Sequence, residues 1–125
     1  MKWLLLLLPV MAFAADYPRD ITLSWDNATE YEDGSLLAPG ELASVHLSCT
    51  RQSDAAPVFT ATIPANGEGL YQVETFIGVV PQPGTYTCVG YSISDQDIWS
   101  LPSNEALKKY TGKPRAMTNF KFEAS

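Results

Sequence analysis

An all-β fold, an antiparallel β-sandwich of six to seven strands, follows from three features of this 125-residue chain. Apolar residues recur with a period of two, the alternation of a strand with one buried face. No segment carries the i, i+3, i+4, i+7 apolar spacing of a helix over a useful length. Turn signals rich in Gly, Pro, Asn and Asp separate the alternating runs at the short intervals of a two-sheet domain.

Taken in order, Ile21, Leu23 and Trp25 alternate with Thr22 and Ser24 and predict the first strand. Val45, Leu47 and Cys49 alternate with His46 and Ser48 and predict the next. Pro57 to Ile63 forms a shorter run closed by Pro64, which has no N–H to give to a ladder. The Asn66-Gly67-Glu68-Gly69 turn signal precedes a strand over Leu70 to Ile77. Gly84 to Ser94 is the longest run, with Tyr86, Cys88, Gly90 and Ser92 on one face, and Asn104 to Tyr110 completes the set.

The first residues set the compartment. Lys2 precedes an apolar stretch from Leu4 to Ala15 that is too short for a membrane span of about 20 residues. Ala12-Phe13-Ala14 places small residues where a signal peptidase reads, so residues 1–14 are expected to be a cleaved leader. The expected organisation is a domain over 15–112 and a tail over 113–125. The mature chain keeps 7 basic and 14 acidic side chains, a balance that argues against nucleic acid. No second apolar run offers membrane insertion. Two cysteines, Cys49 and Cys88, invite one bridge in an exported, oxidising setting that is periplasmic, extracellular or surface-associated.

Gly84-Thr85-Tyr86 at the start of the longest strand and Pro102-Ser103-Asn104-Glu105 before the last one resemble the closing hairpin of a fibronectin type III domain, a member of the immunoglobulin-like folds. Ile21 to Asp26 is similar to the family's second strand, and Glu32-Asp33-Gly34-Ser35 to a loop of its bacterial and phage members. The resemblance implies that Trp25 is a core tryptophan, whose indole N–H needs a partner. It implies that Tyr86 places its ring in the core and its hydroxyl on the backbone. It also implies that the strands of Cys49 and Cys88 are antiparallel neighbours, with both thiols inward in one sheet. A role in adhesion or surface recognition is the functional expectation.

No catalytic constellation is legible, and neither an enzyme nor a cofactor is expected. The single histidine, His46, alternates out of the core face, and nucleophile elbows, phosphate loops and His-Glu-x-x-His helices are missing from the sequence. Asp26, Glu30, Glu32 and Asp33 crowd one loop, which offers either oxygen ligands for calcium or an acidic turn around Asp33-Gly34; the turn is expected. Asn27-Ala28-Thr29 is a glycosylation sequon.

Two surfaces are candidates for function. In the expected topology Tyr31, Ile98 and Trp99 meet at one pole, rimmed by Glu32, Asp33, Asp95 and Asp97, as a partner-binding patch for a protein or a glycan. Trp99 either joins that patch or folds back onto its own sheet. The other surface is the tail, where Phe120 and Phe122 alternate with Lys121 after the Lys113-Pro114 linker. Few residues precede Ile21, so this segment is either a strand donated head-to-tail to the edge of another copy or a tail that folds on its own domain or frays. The three functional expectations are therefore a pole that binds a protein, a structural subunit that assembles through its tail, and an accessory glycan-binding module.

Overall fold

The computed structural model describes residues 16–54 and 56–123; the expected leader and its cleavage site lie outside them. Six strands form: β1 (Arg19–Asp26), β2 (Leu42–Arg51), β3 (Pro57–Pro64), β4 (Tyr71–Val80), β5 (Gly84–Ser94) and β6 (Ala106–Tyr110). They make two antiparallel sheets, one of two strands in the order β1-β4 and one of four in the order β3-β2-β5-β6. No helix occurs among the described residues. β1 begins at Arg19, ahead of its apolar run, β4 continues through Val80, and Asn104 and Glu105 precede β6 instead of belonging to it.

The period of two explains the core. Ile21 from β1, Val80 from β4, Cys49 from β2, Tyr86 and Cys88 from β5 and Tyr110 from β6 point inward and form its buried cluster. Tyr86 is 1% exposed and its hydroxyl donates to Gln82 O at 2.6 Å. Its ring meets Tyr110 edge-on at 5.5 Å, and the Tyr110 hydroxyl crosses to the other sheet to donate to Asp20 O. Phe59 of β3 and Phe76 of β4 close the opposite flank with ring centroids 4.7 Å apart.

Cys49 and Cys88 are directly paired in the β2–β5 register and joined by a disulfide, with Cα atoms 4.1 Å apart. Both cysteines are buried. The bridge suits an oxidising, exported environment.

Trp25 departs from its expected role. The indole is half-buried, because β1 has a strand on one side only and no described residue covers its other edge. Its N–H does find a partner, Asn27 Oδ1 at 2.8 Å. Asn27 is buried, and its Nδ2 donates to Asn66 Oδ1, Gly67 O and Gln72 Oε1 at 2.7–3.0 Å. The network ties the end of β1 to the β3–β4 turn. It also removes Asn27 as a glycosylation acceptor in the folded chain, because the nitrogen that would carry the sugar is enclosed and bonded.

The loops divide between two ends. Residues 27–41, 65–70 and 95–99 gather at one pole, where Asp95 N donates to Glu41 O and Asn27 N to Leu70 O, while residues 100–105 run back beside β5, Ser100 N donating to Ser92 O and Ser103 N to Gly90 O. The opposite pole holds the start of β1 and the end of β6: the Tyr17 hydroxyl donates to Thr111 O, and Lys113 Nζ lies 3.7 Å from Asp16.

Candidate functional site

The pole begins with a turn. Gly34 N donates to Tyr31 O, Gly34 takes φ +87°, and Tyr31 N donates in turn to Ser35 O, so the turn closes directly on the tyrosine. Asp33 Oδ1 accepts from both the backbone N–H and the hydroxyl of Ser35. Those two bonds hold its carboxyl below the usual carboxylate range. Asp33 therefore builds the turn and does not line the cleft beside it.

Across the gap the β5–β6 connection is shaped by Ser94. Its hydroxyl accepts from Gln96 N and Ile98 N, and Asp97 adopts φ 63°, a left-handed value that Asp tolerates. Ile98 is thereby turned outward while Trp99 bridges back to Ile93. The Trp99 ring rests 4.9 Å from His46 and 5.7 Å from Tyr91, centroid to centroid, yet stays 47% exposed. The two alternatives for Trp99 merge: one side packs on its own sheet and the rest faces the pole.

Tyr31, Glu32, Ile98 and Trp99 line one cleft of about 350 Å³, with Leu37 and Leu42 in its wall and Glu30 and Asp95 at its rim. The Tyr31 phenol is pushed above its ordinary pKa, first by partial desolvation and then by Glu41, Asp95 and Asp33. No Lys or Arg occurs in the three polar loops, so the field over the cleft is negative.

Loop 65–70 is clamped from below by Glu68, whose Oε2 accepts from Gly40 N and Leu42 N. These bonds hold its carboxyl below the usual range. Among the described residues no group of three or more His, Cys, Asp or Glu side chains is arranged to hold a metal ion.

His46 and Tyr91 belong to this surface and were not singled out as site residues. Their signal was available: they are outward-facing positions on what prove to be neighbouring strands, and they pair directly in register. A Nδ1···Oγ1 contact of 2.7 Å to Thr62 orients the His46 ring under Trp99.

A second cleft, of about 290 Å³, opens where β1 has no neighbour. Leu23 and Trp25 form one wall, Leu101 and Ala106 the other, and Leu47 and Gly90 the floor. Gly90 belongs there by contact, since a Cβ would stand 3.3 Å from Leu47 Cδ2 and fill the floor. Residues 111–123 form no strand and are exposed throughout, with Phe120 84% and Phe122 101% exposed. The strand-like alternation of the tail thus has no ladder in the single chain, because an isolated strand leaves its backbone groups without partners.

No family model matches the chain, and no curated protein or solved structure matches it either.

Proposed function

We propose that this chain is an exported, non-catalytic binding or adhesion module of the fibronectin type III kind that engages a partner through its acidic pole. One observation carries the reading: Tyr31, Ile98 and Trp99 are exposed together on one cleft whose loops hold carboxylates and no basic side chain. Aromatic side chains at the centre of a patch with a charged rim are the residue types that dominate binding energy. The direct β2–β5 pairing that carries the disulfide supports the family reading, since the resemblance requires those two strands to be neighbours.

The charge pattern favours a protein partner that presents an apolar side chain flanked by Lys or Arg. Titrating the protein with short peptides of that pattern, and separately with neutral oligosaccharides, while following tryptophan emission tests this. A saturable response to a peptide, weakened at least about thirtyfold by Trp99→Ala as expected for a binding hot spot, with an unchanged melting temperature, is the expected result. Saturation by oligosaccharides alone transfers the cleft to the glycan-binding reading. Silence with both ligand classes removes the pole as the binding surface.

A further inference from the structure

With Ser92 and Ser100 lining both clefts, the open edge of β1 and the second cleft beside it adjoin the Tyr31–Trp99 cleft. We propose that they receive the tail of another copy of this chain, residues 118–123 adding as a strand antiparallel to β1 with Phe120 and Phe122 seated in the cleft.

Edge geometry is the first ground. β1 pairs with β4 alone, so one row of its N–H and C=O groups faces outward among the described residues, a template for a further strand. The second cleft lies on this side: its lining comes from β1, β2, β5, the β5–β6 segment and the first residue of β6, and none from β3 or β4. A strand laid against β1 would cover it and send alternate side chains into it.

The tail has the matching pattern. Phe120 and Phe122 are two residues apart, the same step that separates Leu23 and Trp25 on the wall of the cleft, so both rings reach inward from one strand. Lys121 would then project outward beside the exposed outer positions of β1, Thr22 and Ser24. Two phenylalanines left almost wholly in water gain a large apolar contact on docking.

Direction decides whether the strand comes from the same chain or another. The tail leaves the body beside the start of β1, where Tyr17 meets Thr111 and Lys113 meets Asp16. Laid on its own β1 it would run parallel to it, whereas every pairing within the two sheets is antiparallel. Parallel pairs are slightly the weaker. A tail from another copy enters from the opposite pole and runs antiparallel.

Charge agrees with that entry. The five residues from Lys113 to Met117 span up to about 18 Å when extended. They would carry Lys113 and Arg115 across loops that bear Glu30, Glu32, Asp33, Asp95 and Asp97 and no basic residue. Donor and acceptor surfaces are different parts of the chain, so the contact is heterologous and repeats along an open chain of copies.

Sedimentation of the chain from Ala15 to Ser125 over a range of concentrations tests the proposal. The weight-average mass should rise beyond that of a dimer, fall on adding salt, and remain that of a monomer in the Phe120→Asp/Phe122→Asp variant, whose exposed sites leave the fold intact. A monomer at every concentration overturns it, as does association that survives the double substitution. Cysteines at Ser24 and Lys121 separate the two routes. Mixing Ser24→Cys with Lys121→Cys chains under mild oxidation should yield a linked heterodimer. If instead the mixture stays unlinked and a chain carrying both substitutions closes on itself as a monomer, the tail serves its own body and the proposal fails. Trp99→Ala should leave the sedimentation unchanged, which keeps this outcome independent of the reading of the pole.

Discussion

Asn27 occupies the corner where β1 ends, with both kinds of atom in its amide engaged: Oδ1 receives the Trp25 indole and Nδ2 reaches Asn66, Gly67 and Gln72. Gln72, also buried, passes the network to Pro64 O and Glu74. Removing one member of such a network strands the others away from water, and that desolvation cost exceeds the net value of the bonds themselves. Asn27→Ala should lower the unfolding free energy by about 2–3 kcal/mol in urea denaturation. A loss below about 0.5 kcal/mol would show that water replaces the amide freely. The Trp25 emission spectrum should shift in the same variant as its indole N–H loses its partner.

At the level of strands and loops, two links hold the architecture. The Cys49–Cys88 bridge joins β2 to β5 and closes a loop with a sequence separation of 39. On loop-closure entropy, replacing both cysteines by Ala should cost about 4 kcal/mol, read as a shift in the denaturation midpoint of the oxidised protein relative to the variant. The second link is Glu68, whose carboxylate accepts two backbone N–H bonds from the 27–41 loop and the start of β2. Its folded pKa is lowered, so its contribution is present above the ordinary Glu range and is lost as pH falls through the depressed folded value. Glu68→Gln should therefore melt lower than the wild type at neutral pH. The gap in melting temperature should close in acid, where the wild-type carboxyl is itself protonated.

Across the whole molecule the charge is polarised. Acidic side chains crowd the loops at one end, while Lys108, Lys109, Lys113 and Arg115 follow one another from β6 into the tail at the other. A molecule with opposite charge at its two ends is steered into head-to-tail encounters. Such steering weakens as salt shortens the Debye length, which is why the expected association should decline with ionic strength. The Tyr31–Trp99 cleft and the cleft beside β1 adjoin through Ser92 and Ser100, so in an assembled chain of copies each tail would pass the acidic loops of the pole on its way to the β1 edge.

Strand identity was legible because it is a local matter: Val45-His46-Leu47-Ser48-Cys49 can bury one face only as a strand, and Asn66-Gly67 and Asp33-Gly34 carry their turn geometry with them. The two cysteines limited the possible bridge to one. Meeting of Tyr31 with Ile98 and Trp99 at one pole was expected from the order of strands.

Other features depend on what lies across space. Asn27 reads as an exposed sequon until the β3–β4 turn closes over it, and Asp33 reads as a rim carboxylate until Ser35 draws it into the turn. Trp25 reads as a core residue because its apolar alternation is correct; its half-exposure comes from a neighbour that its sheet does not supply. His46 beneath Trp99 required the register of β2 on β5. Periodicity thus determined which face of each segment is apolar, since that rests on backbone geometry within a few residues. Tertiary structure decided which apolar faces are covered and which stay open, because coverage depends on the partner strand and not on the segment itself.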